Sequence, residues 1–243
     1  MARHGSTVVT GPIILAIENA TMCGSVALIS AGLCLAEYSL TTSITHSRRL
    51  LTTVQQLMAD TNFTWDRIDA IAVSSGPGSF TGLRIGLTTA KGLAMATGKP
   101  LIGVSSLTTL ACQLPWTDKM ICPMIDARKH EVYTAFYRYA GDGPPRRIGD
   151  VVAIDPEALA QLINNDVLFL GDGSQLYHDT LSKILGKRAN FASTELFFIR
   201  AAALGHCALY KYRQGQFLDP VSAIPDYIRP SEAEVNFPII KSE

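Results

Sequence analysis

The sequence has 243 residues, 47% of them hydrophobic, and its 21 basic side chains balance its 21 acidic ones. A chain of this length and composition can bury a substantial core, in one large domain or two small ones. The zero formal charge, with neither sign gathered in a long block, argues against the basic surface through which proteins bind nucleic acid directly.

The N-terminal residues 1–12 carry only the short apolar stretch at residues 7–10, far below the roughly 20 residues of a membrane span. We interpret them as a loose extension or a remnant of cloning, and we expect no signal peptide or membrane segment. The five cysteines form no Cys-x-x-Cys pair, which favours reduced, buried thiols in the cytosol over a disulfide framework.

The first predicted elements form a β-meander. Residues 13–18 and 25–30 have the pattern of strands, Ala31-Gly32 predicts a turn, and residues 33–40 continue as a third strand. Glu18 stands at the end of the first strand, where a charged side chain is more often solvated than buried. We therefore expect Glu18 to be exposed.

A helix is predicted next, because apolar residues recur at helical spacing after Thr45, a candidate cap: Leu50, Val54, Leu57 and Met58. His46 lies in its first turn, without an acid or metal partner at helical spacing, so a structural role is favoured over a catalytic one. Residues 68–73 then predict a buried strand that leads into a glycine-rich loop.

The glycine-rich loop, residues 74–82, connects that strand to a helix. Gly76 and Gly78 allow close backbone approach, and Ser79 is placed to cap the helix. An anion at the helix N-terminus or a tight structural turn would fit equally. The glycine spacing matches neither the dinucleotide fingerprint nor a P-loop. Gly76, Gly78 and Ser79 are therefore weak candidates for cofactor binding.

The helix after the loop, predicted at about residues 80–97, carries small residues at every fourth position: Gly82, Gly86, Ala90 and Ala94. Glycine inside a helix costs about 1 kcal/mol relative to alanine, so close packing of a neighbour is the simplest compensation. That neighbour could belong to the same subunit or to a partner. A bulky residue on this ridge is expected to weaken association if the neighbour is a partner.

The second half repeats the opening pattern. Residues 120–126, 131–139 and 147–154 predict another meander, and residues 167–170 predict a buried strand. Between them Asp155-Pro156 opens a helix to about Asn164. Further predictions are a strand at 101–104, a helix from 105 or 106 to 113, a strand-to-helix loop at 171–174, a helix at about 193–212 and an extended tail after Pro220.

Several segments of the chain resemble the TsaB (YeaZ) family. The resemblance is carried by SGPGSFTGLRIG (75–86), AKGLA (90–94), PLIGVSSL (100–107), ILAIENAT (14–21), HSRRL (46–50), IDARKHEVY (125–133) and YIRP (227–230). It is dense from about residue 13 to 137 and thin thereafter. Its long central motif is too specific for a chance match.

The resemblance implies an α/β fold of the two-lobed actin-like ATPase (ASKHA) class, built from duplicated meander-plus-helices units with a shortened second lobe. We expect residues 13–110 to form the N-terminal lobe and residues 111–243 the C-terminal lobe. The helix at about 193–212 is a candidate to pack back on the first lobe. In this superfamily an Asp near the end of the first strand often faces phosphate or metal, and here that position is Glu18.

The resemblance also implies a function: a cytoplasmic, non-catalytic subunit that dimerises with TsaD and, with the ATPase TsaE, supports transfer of a threonylcarbamoyl group to adenosine of tRNA. ATP and metal would be used by those partners, and this chain would have no cofactor of its own. When alone it would form a homodimer, and it would meet tRNA only indirectly.

TsaD-type relatives carry two metal-binding histidines, and their positions fall here at Ser106 and Leu110, which are unsuited to a metal. We therefore expect no metal site and no catalytic residue. In TsaB-like proteins the helices equivalent to 46–59 and 80–97 pack against the partner. The implied interface residues are His46, Arg49, Leu50, Phe80, Leu83, Gly86, Leu87, Ala90 and Ala94.

Two other functions stay open at this point. The chain could be an enzyme in its own right, a nucleotide-dependent transferase or a glycoprotease-like peptidase. However, no Ser, His and Asp fall in a recognisable nucleophile motif. It could also be a simple homodimeric structural protein.

Overall fold

The computed structural model describes residues 11–41, 50–141 and 143–229. Its first half contains a five-stranded mixed sheet in the order β3-β2-β1-β4-β5. The strands β1 and β2 are antiparallel, as are β2 and β3, whereas β4 and β5 run parallel to β1. The predicted opening meander is confirmed. The bounds are β1 Ile13–Glu18, β2 Cys23–Ser30, β3 Leu33–Thr41, β4 Ala70–Gly76 and β5 Leu101–Ser105.

The second half contains another five-stranded sheet, in the order β10-β9-β6-β7-β8. Here β6, β7 and β8 form the antiparallel meander, and β9 and β10 run parallel to β6. Strand for strand this repeats the first sheet, so the predicted duplication is confirmed. The bounds are β6 Met120–Asp126, β7 Val132–Arg138, β8 Arg146–Ile154, β9 Val167–Leu170 and β10 Ala189–Phe191.

Three helices cover the first sheet: α1 Leu50–Thr61, α2 Phe80–Thr97 and α7 Ala201–Arg213. Alternate residues of β1 divide between two cores. Leu15 packs with side chains of α1 and α2, and Ala16 packs with side chains of α7. Because both faces are covered, β1 is apolar at every position except Glu18, as expected for a strand in the middle of a sheet.

Shorter helices accompany the second sheet: α3 Ser106–Ala111, α4 Pro156–Gln161, α5 Asp172–Leu176 and α6 His178–Leu185. Side chains of α4 and α6 pack on one face, while α3 packs on the other face, which is turned to the first lobe. Asp155 caps α4 as predicted, accepting from the backbone N–H groups of Glu157 and Ala158. Neither α6 nor β10 was predicted from the sequence.

The chain crosses back to the first lobe near its end. The helix predicted at about 193–212 begins only at Ala201, after a single 3₁₀ turn at Thr194–Leu196. It packs on the first sheet, where Gly205 lets it approach closely, since a Cβ there would lie 2.3 Å from Ile29 Cγ1. Within the described residues, no helix combines the length and the apolar character needed to cross a membrane.

Candidate functional site

The glycine-rich loop lies between β4 and α2. It contains a cis peptide bond between Gly76 and Pro77, and Gly76 has a φ of +124°. Ser79 caps α2, with its Oγ accepting from the backbone N–H of Gly82 at 3.3 Å. The predicted cap is therefore confirmed, and the positive φ explains why position 76 is glycine.

The close approach that the glycines allow is made by the chain's own backbone. A Cβ at Gly78 would lie 2.4 Å from the carbonyl oxygen of Ala20, and one at Gly82 would lie 2.2 Å from that of Asn19. At Gly76 the corresponding atom is the carbonyl oxygen of Asp226, at 2.6 Å. Carbonyl oxygens are acceptors and repel phosphate. Internal packing therefore accounts for these glycines, and Gly76 is buried beneath Asp226, whereas Gly78 and Ser79 still line the cleft between the lobes.

A segment near the C-terminus, residues 218–229, runs across the glycine-rich loop; we call it the C-terminal strap. Leu218 donates its backbone N–H to the Leu101 carbonyl at 2.8 Å, and Asp226 donates to the Ser75 carbonyl at 2.7 Å. The Ser75 hydroxyl in turn donates to the Asp226 carboxylate at 2.6 Å. The strap therefore covers the loop from outside, although the sequence analysis described it only as an extended tail.

Three side chains fasten the strap to the start of α2. Tyr227 stacks on Phe80 with ring centroids 4.8 Å apart. The guanidinium group of Arg84 lies over the Phe80 ring, with its Cζ 3.8 Å from the ring centroid. The Nε of Arg84 donates to the Tyr227 hydroxyl at 2.9 Å. Phe80, predicted to contact a partner, is thus partly covered by the chain's own strap.

A cleft of about 610 Å³ separates the two lobes. Its walls are the β1–β2 turn, the glycine-rich loop, the β6–β7 turn and the end of the strap, which also bridges the lobes through an ion pair between Arg229 and Glu131. The two turns occupy equivalent positions in the two sheets. The cleft is therefore where the duplicated halves face each other.

Glu18, at the first-lobe side of this cleft, is completely buried, so the expectation that it is solvated is wrong. Its carboxyl group accepts from the Ala20 backbone N–H at 2.6 Å and from the Ser74 hydroxyl. Burial raises the pKa of Glu18 to about 8, and the Ala20 hydrogen bond offsets only part of that effect. At neutral pH this shift favours the protonated, neutral form of the Glu18 carboxyl group.

The β6–β7 turn forms the opposite side. Arg128, Lys129 and His130 have positive φ values of 62°, 52° and 61°, a conformation that costs about 1–2 kcal/mol for each non-glycine residue. Arg128 pairs with Asp126 at 3.1 Å, and the Asp126 backbone N–H donates to Asp172 at 3.0 Å. Burial raises the pKa of Asp172. The strained turn places Arg128 and Lys129 at the wall of the cleft.

Ser106 and Leu110, where the resemblance predicts the loss of two metal-binding histidines, both lie on α3 without exposed surface. Leu110 packs in the core between the lobes, and its Cδ2 would be 2.6 Å from a Cβ at Gly171. Among the residues that the structure describes, no three His, Cys, Asp or Glu side chains come close enough to hold a metal ion.

The small-residue ridge of α2 faces inward. Ala90 has no exposed surface, Ala94 is 2% exposed, and a Cβ at Gly86 would meet Asn19 Cβ at 3.3 Å. The chain's own β1–β2 turn and sheet therefore cover the ridge, which accounts for its small residues within the subunit, and its contact with a partner stays a prediction. Leu50, Leu83 and Leu87 are buried as well. His46 and Arg49 lie outside the described residues.

The outer face of α1 and α2 carries a different set of residues, which the sequence analysis missed. Leu51 and Met95 are 45% and 62% exposed, and beside Gly92 no atom of the described residues outside its own helix lies within 4 Å of the place where a Cβ would stand. A helix-interior glycine costs stability, and nothing within the described chain offsets that cost at Gly92. The sequence did contain a signal for this outward position: Gly92 lies two residues after Ala90 and so falls outside the four-residue repeat of the inward ridge.

Comparison with known proteins identifies the family to which the chain belongs. The profile described as "TsaD: tRNA N6-adenosine threonylcarbamoyltransferase" matches residues 40–237. The TsaB protein of Bacillus subtilis is 32% identical over 226 residues, which cover 92% of this chain and 97% of that protein. The chain belongs to the TsaB family. The Escherichia coli TsaB protein is also 32% identical, over 93% of this chain and 98% of its own length.

Solved structures agree with this assignment to the TsaB family. YeaZ from Pseudomonas aeruginosa superposes with a TM-score of 0.76 at 29% identity, covering 89% of this chain and 99% of that one. With its two duplicated sheets and covering helices, the chain has the α/β two-lobed fold of the actin-like ATPases. The predicted fold class and family are confirmed.

Proposed function

We propose that this chain takes part in the biosynthesis of tRNA threonylcarbamoyladenosine as a non-catalytic subunit that pairs with a TsaD homologue and works with TsaE. The observation that carries the proposal is the match along nearly the whole length of two proteins named as TsaB biosynthesis proteins. The chain would act in the cytoplasm, and ATP and metal would be used by the partner subunits.

The chemistry of the cleft supports a non-catalytic role. Backbone carbonyl groups occupy the space beside the glycines of the loop, and the strap lies across the loop. Glu18 is buried, and its raised pKa favours the protonated form at neutral pH. On α3, the buried pair Ser106 and Leu110 offers one hydroxyl and no strong metal ligand. A nucleotide-dependent reaction needs hydrogen-bond donors for the phosphates and a set of metal ligands. The β6–β7 turn places Arg128 and Lys129 at the cleft wall, but the buried pair on α3 supplies no set of metal ligands.

The outer face of α1 and α2 is our proposal for the partner surface, in place of the inward ridge. Met95 and Leu51 supply exposed apolar area, and Gly92 permits a neighbouring helix to approach without a side chain between the backbones. The same face would serve a homodimer when the partner is absent.

Reconstitution tests the proposal directly. The chain is purified alone and with the TsaD homologue of its own genome, and threonylcarbamoyladenosine on tRNA is measured with each protein omitted in turn, in the presence of TsaE. We expect co-purification of the two proteins, and product only when both are present. Unchanged modification without this chain, or no association with the TsaD homologue, would contradict the proposal.

A further inference from the structure

Two cysteines meet where α7 crosses α3. Cys112 directly follows α3 and Cys207 lies within α7, 95 residues later in the chain, and their Sγ atoms are 2.8 Å apart. This separation is only about 0.8 Å longer than an S–S bond. Both thiols are reduced in the structure. A covalent bond between them therefore needs little movement of either side chain.

The two sulfur atoms differ in access. Cys112 is half-buried and lines a cavity of about 280 Å³, together with Tyr139, His206 and Arg213. Cys207 is 3% exposed and does not line the cavity. A small oxidant can therefore reach Cys112 first, and Cys207 can react only with what forms at Cys112.

The environment of Cys207 disfavours its reacting first with an oxidant. The hydrogen bond with Cys112 and then burial raise the pKa of the Cys207 thiol well above its usual value, so it does not form a thiolate readily in solution. It is protected from direct oxidation but lies in contact with Cys112, the more accessible sulfur of the pair.

We propose that Cys112 and Cys207 form a reversible disulfide when the chain meets a peroxide. The Cys112 sulfur attacks one oxygen of the peroxide, the O–O bond breaks, and a sulfenic acid and one water are formed when the peroxide is hydrogen peroxide. The Cys207 sulfur then attacks the sulfenic sulfur, the S–OH bond breaks, and the proton of Cys207 leaves with that hydroxyl as a second water. Two thiols are oxidised and one peroxide is reduced. A small dithiol reverses the reaction by exchange.

The disulfide would link two helices at the junction between the lobes. Side chains of α7 pack on the first sheet, whereas α3 packs against β6 of the second sheet. A disulfide between Cys207 and Cys112 therefore ties the returning helix to the element that connects the sheets. It also closes a long loop, which restricts the unfolded chain.

The test uses the full chain carrying Cys34→Ser, because Cys34 is exposed and could link two molecules. After treatment with hydrogen peroxide and blocking of free thiols, peptide mapping is expected to show Cys112 joined to Cys207, with the loss of two hydrogens in the intact mass. Treatment with a dithiol should restore both thiols. Cys112→Ser serves as the control and should leave Cys207 reduced.

Thermal unfolding gives a second readout. The oxidised chain should have a Tm higher than the reduced chain by roughly 5 °C or more, and the Cys112→Ser variant should show no such rise. The proposal is overturned if peroxide drives Cys112 to sulfinic acid while Cys207 stays reduced, or if Cys112 pairs with a cysteine of another molecule.

Discussion

At the scale of single residues, Glu18 shows how burial changes chemistry. A carboxyl group at a strand end looks like a ligand or a solvated charge in the sequence, but here it is sealed between β1, β4 and the following turn. Its protonated form is the one that the folded state favours. The residue therefore links folding stability to pH rather than supplying charge to the cleft.

The pH dependence follows from that pKa of about 8 in the folded chain against 4.5 for an ordinary Glu. Between these values the folded state binds the proton and the unfolded state does not, so the stability that Glu18 contributes is complete below pH 4.5 and is lost as pH rises to 8. Each unit corresponds to about 1.4 kcal/mol, which gives a loss on the order of a few kcal/mol. Glu18→Gln should remove this dependence.

Thermal unfolding from pH 5 to 8.5 measures the pH dependence of stability that Glu18 causes. Relative to the natural chain, Glu18→Gln should have a Tm that becomes progressively higher as pH rises, with the smallest difference at pH 5. Glu157→Gln, an exposed position in the first turn of α4, is the matched control and should follow the natural chain. Parallel curves for Glu18→Gln and the natural chain would show that Glu18 is ionised in the folded state.

At the scale of elements, two of the three glycines of α2, Gly86 and Gly92, lie on different sides of the helix. Gly86 faces the β1–β2 turn, and Gly92 is exposed and faces away from the other described elements. Gly86→Leu should therefore destabilise the fold by about 1–3 kcal/mol through overpacking. Gly92→Leu should preserve or raise stability, since the helix loses a glycine, while it weakens association with the TsaD homologue at least tenfold.

The two variants are compared by urea unfolding and by titration against the partner. Lys183→Ala, an exposed position of α6 in the second lobe, controls for a general effect of substitution outside the proposed face. If Gly92→Leu binds the partner as tightly as the natural chain does, the partner surface does not include this part of α2.

The strap is the other element with a measurable contribution. Tyr227→Ala removes both the stack on Phe80 and the hydrogen bond from Arg84, so we expect a loss of about 1–3 kcal/mol of unfolding free energy. Tyr227→Phe keeps the stack and should lose about 1 kcal/mol or less. Urea denaturation of both variants separates the two contributions. Equal, negligible losses would mean that the strap is not held by this contact.

At the scale of the whole molecule, the chain alone should neither hydrolyse ATP nor modify tRNA. It should also bind tRNA only weakly, because equal numbers of basic and acidic residues leave few side chains to neutralise phosphates. A phosphate-release assay and a tRNA titration at two salt concentrations measure both properties. Metal-dependent turnover abolished by a substitution in this chain, or submicromolar binding that falls steeply with salt, would contradict this expectation.

The sequence by itself determined the duplicated meanders, the Ser79 and Asp155 caps and the family, because these depend on local periodicity, short-range capping and a long contiguous motif. Only the tertiary structure decided which side of α2 faces inward, since glycine and alanine at helical spacing look alike against any neighbour. It also decided the burial of Glu18, the course of the strap and the contact between Cys112 and Cys207. Each of these features depends on contacts between segments far apart in the chain, and local sequence patterns do not predict such contacts.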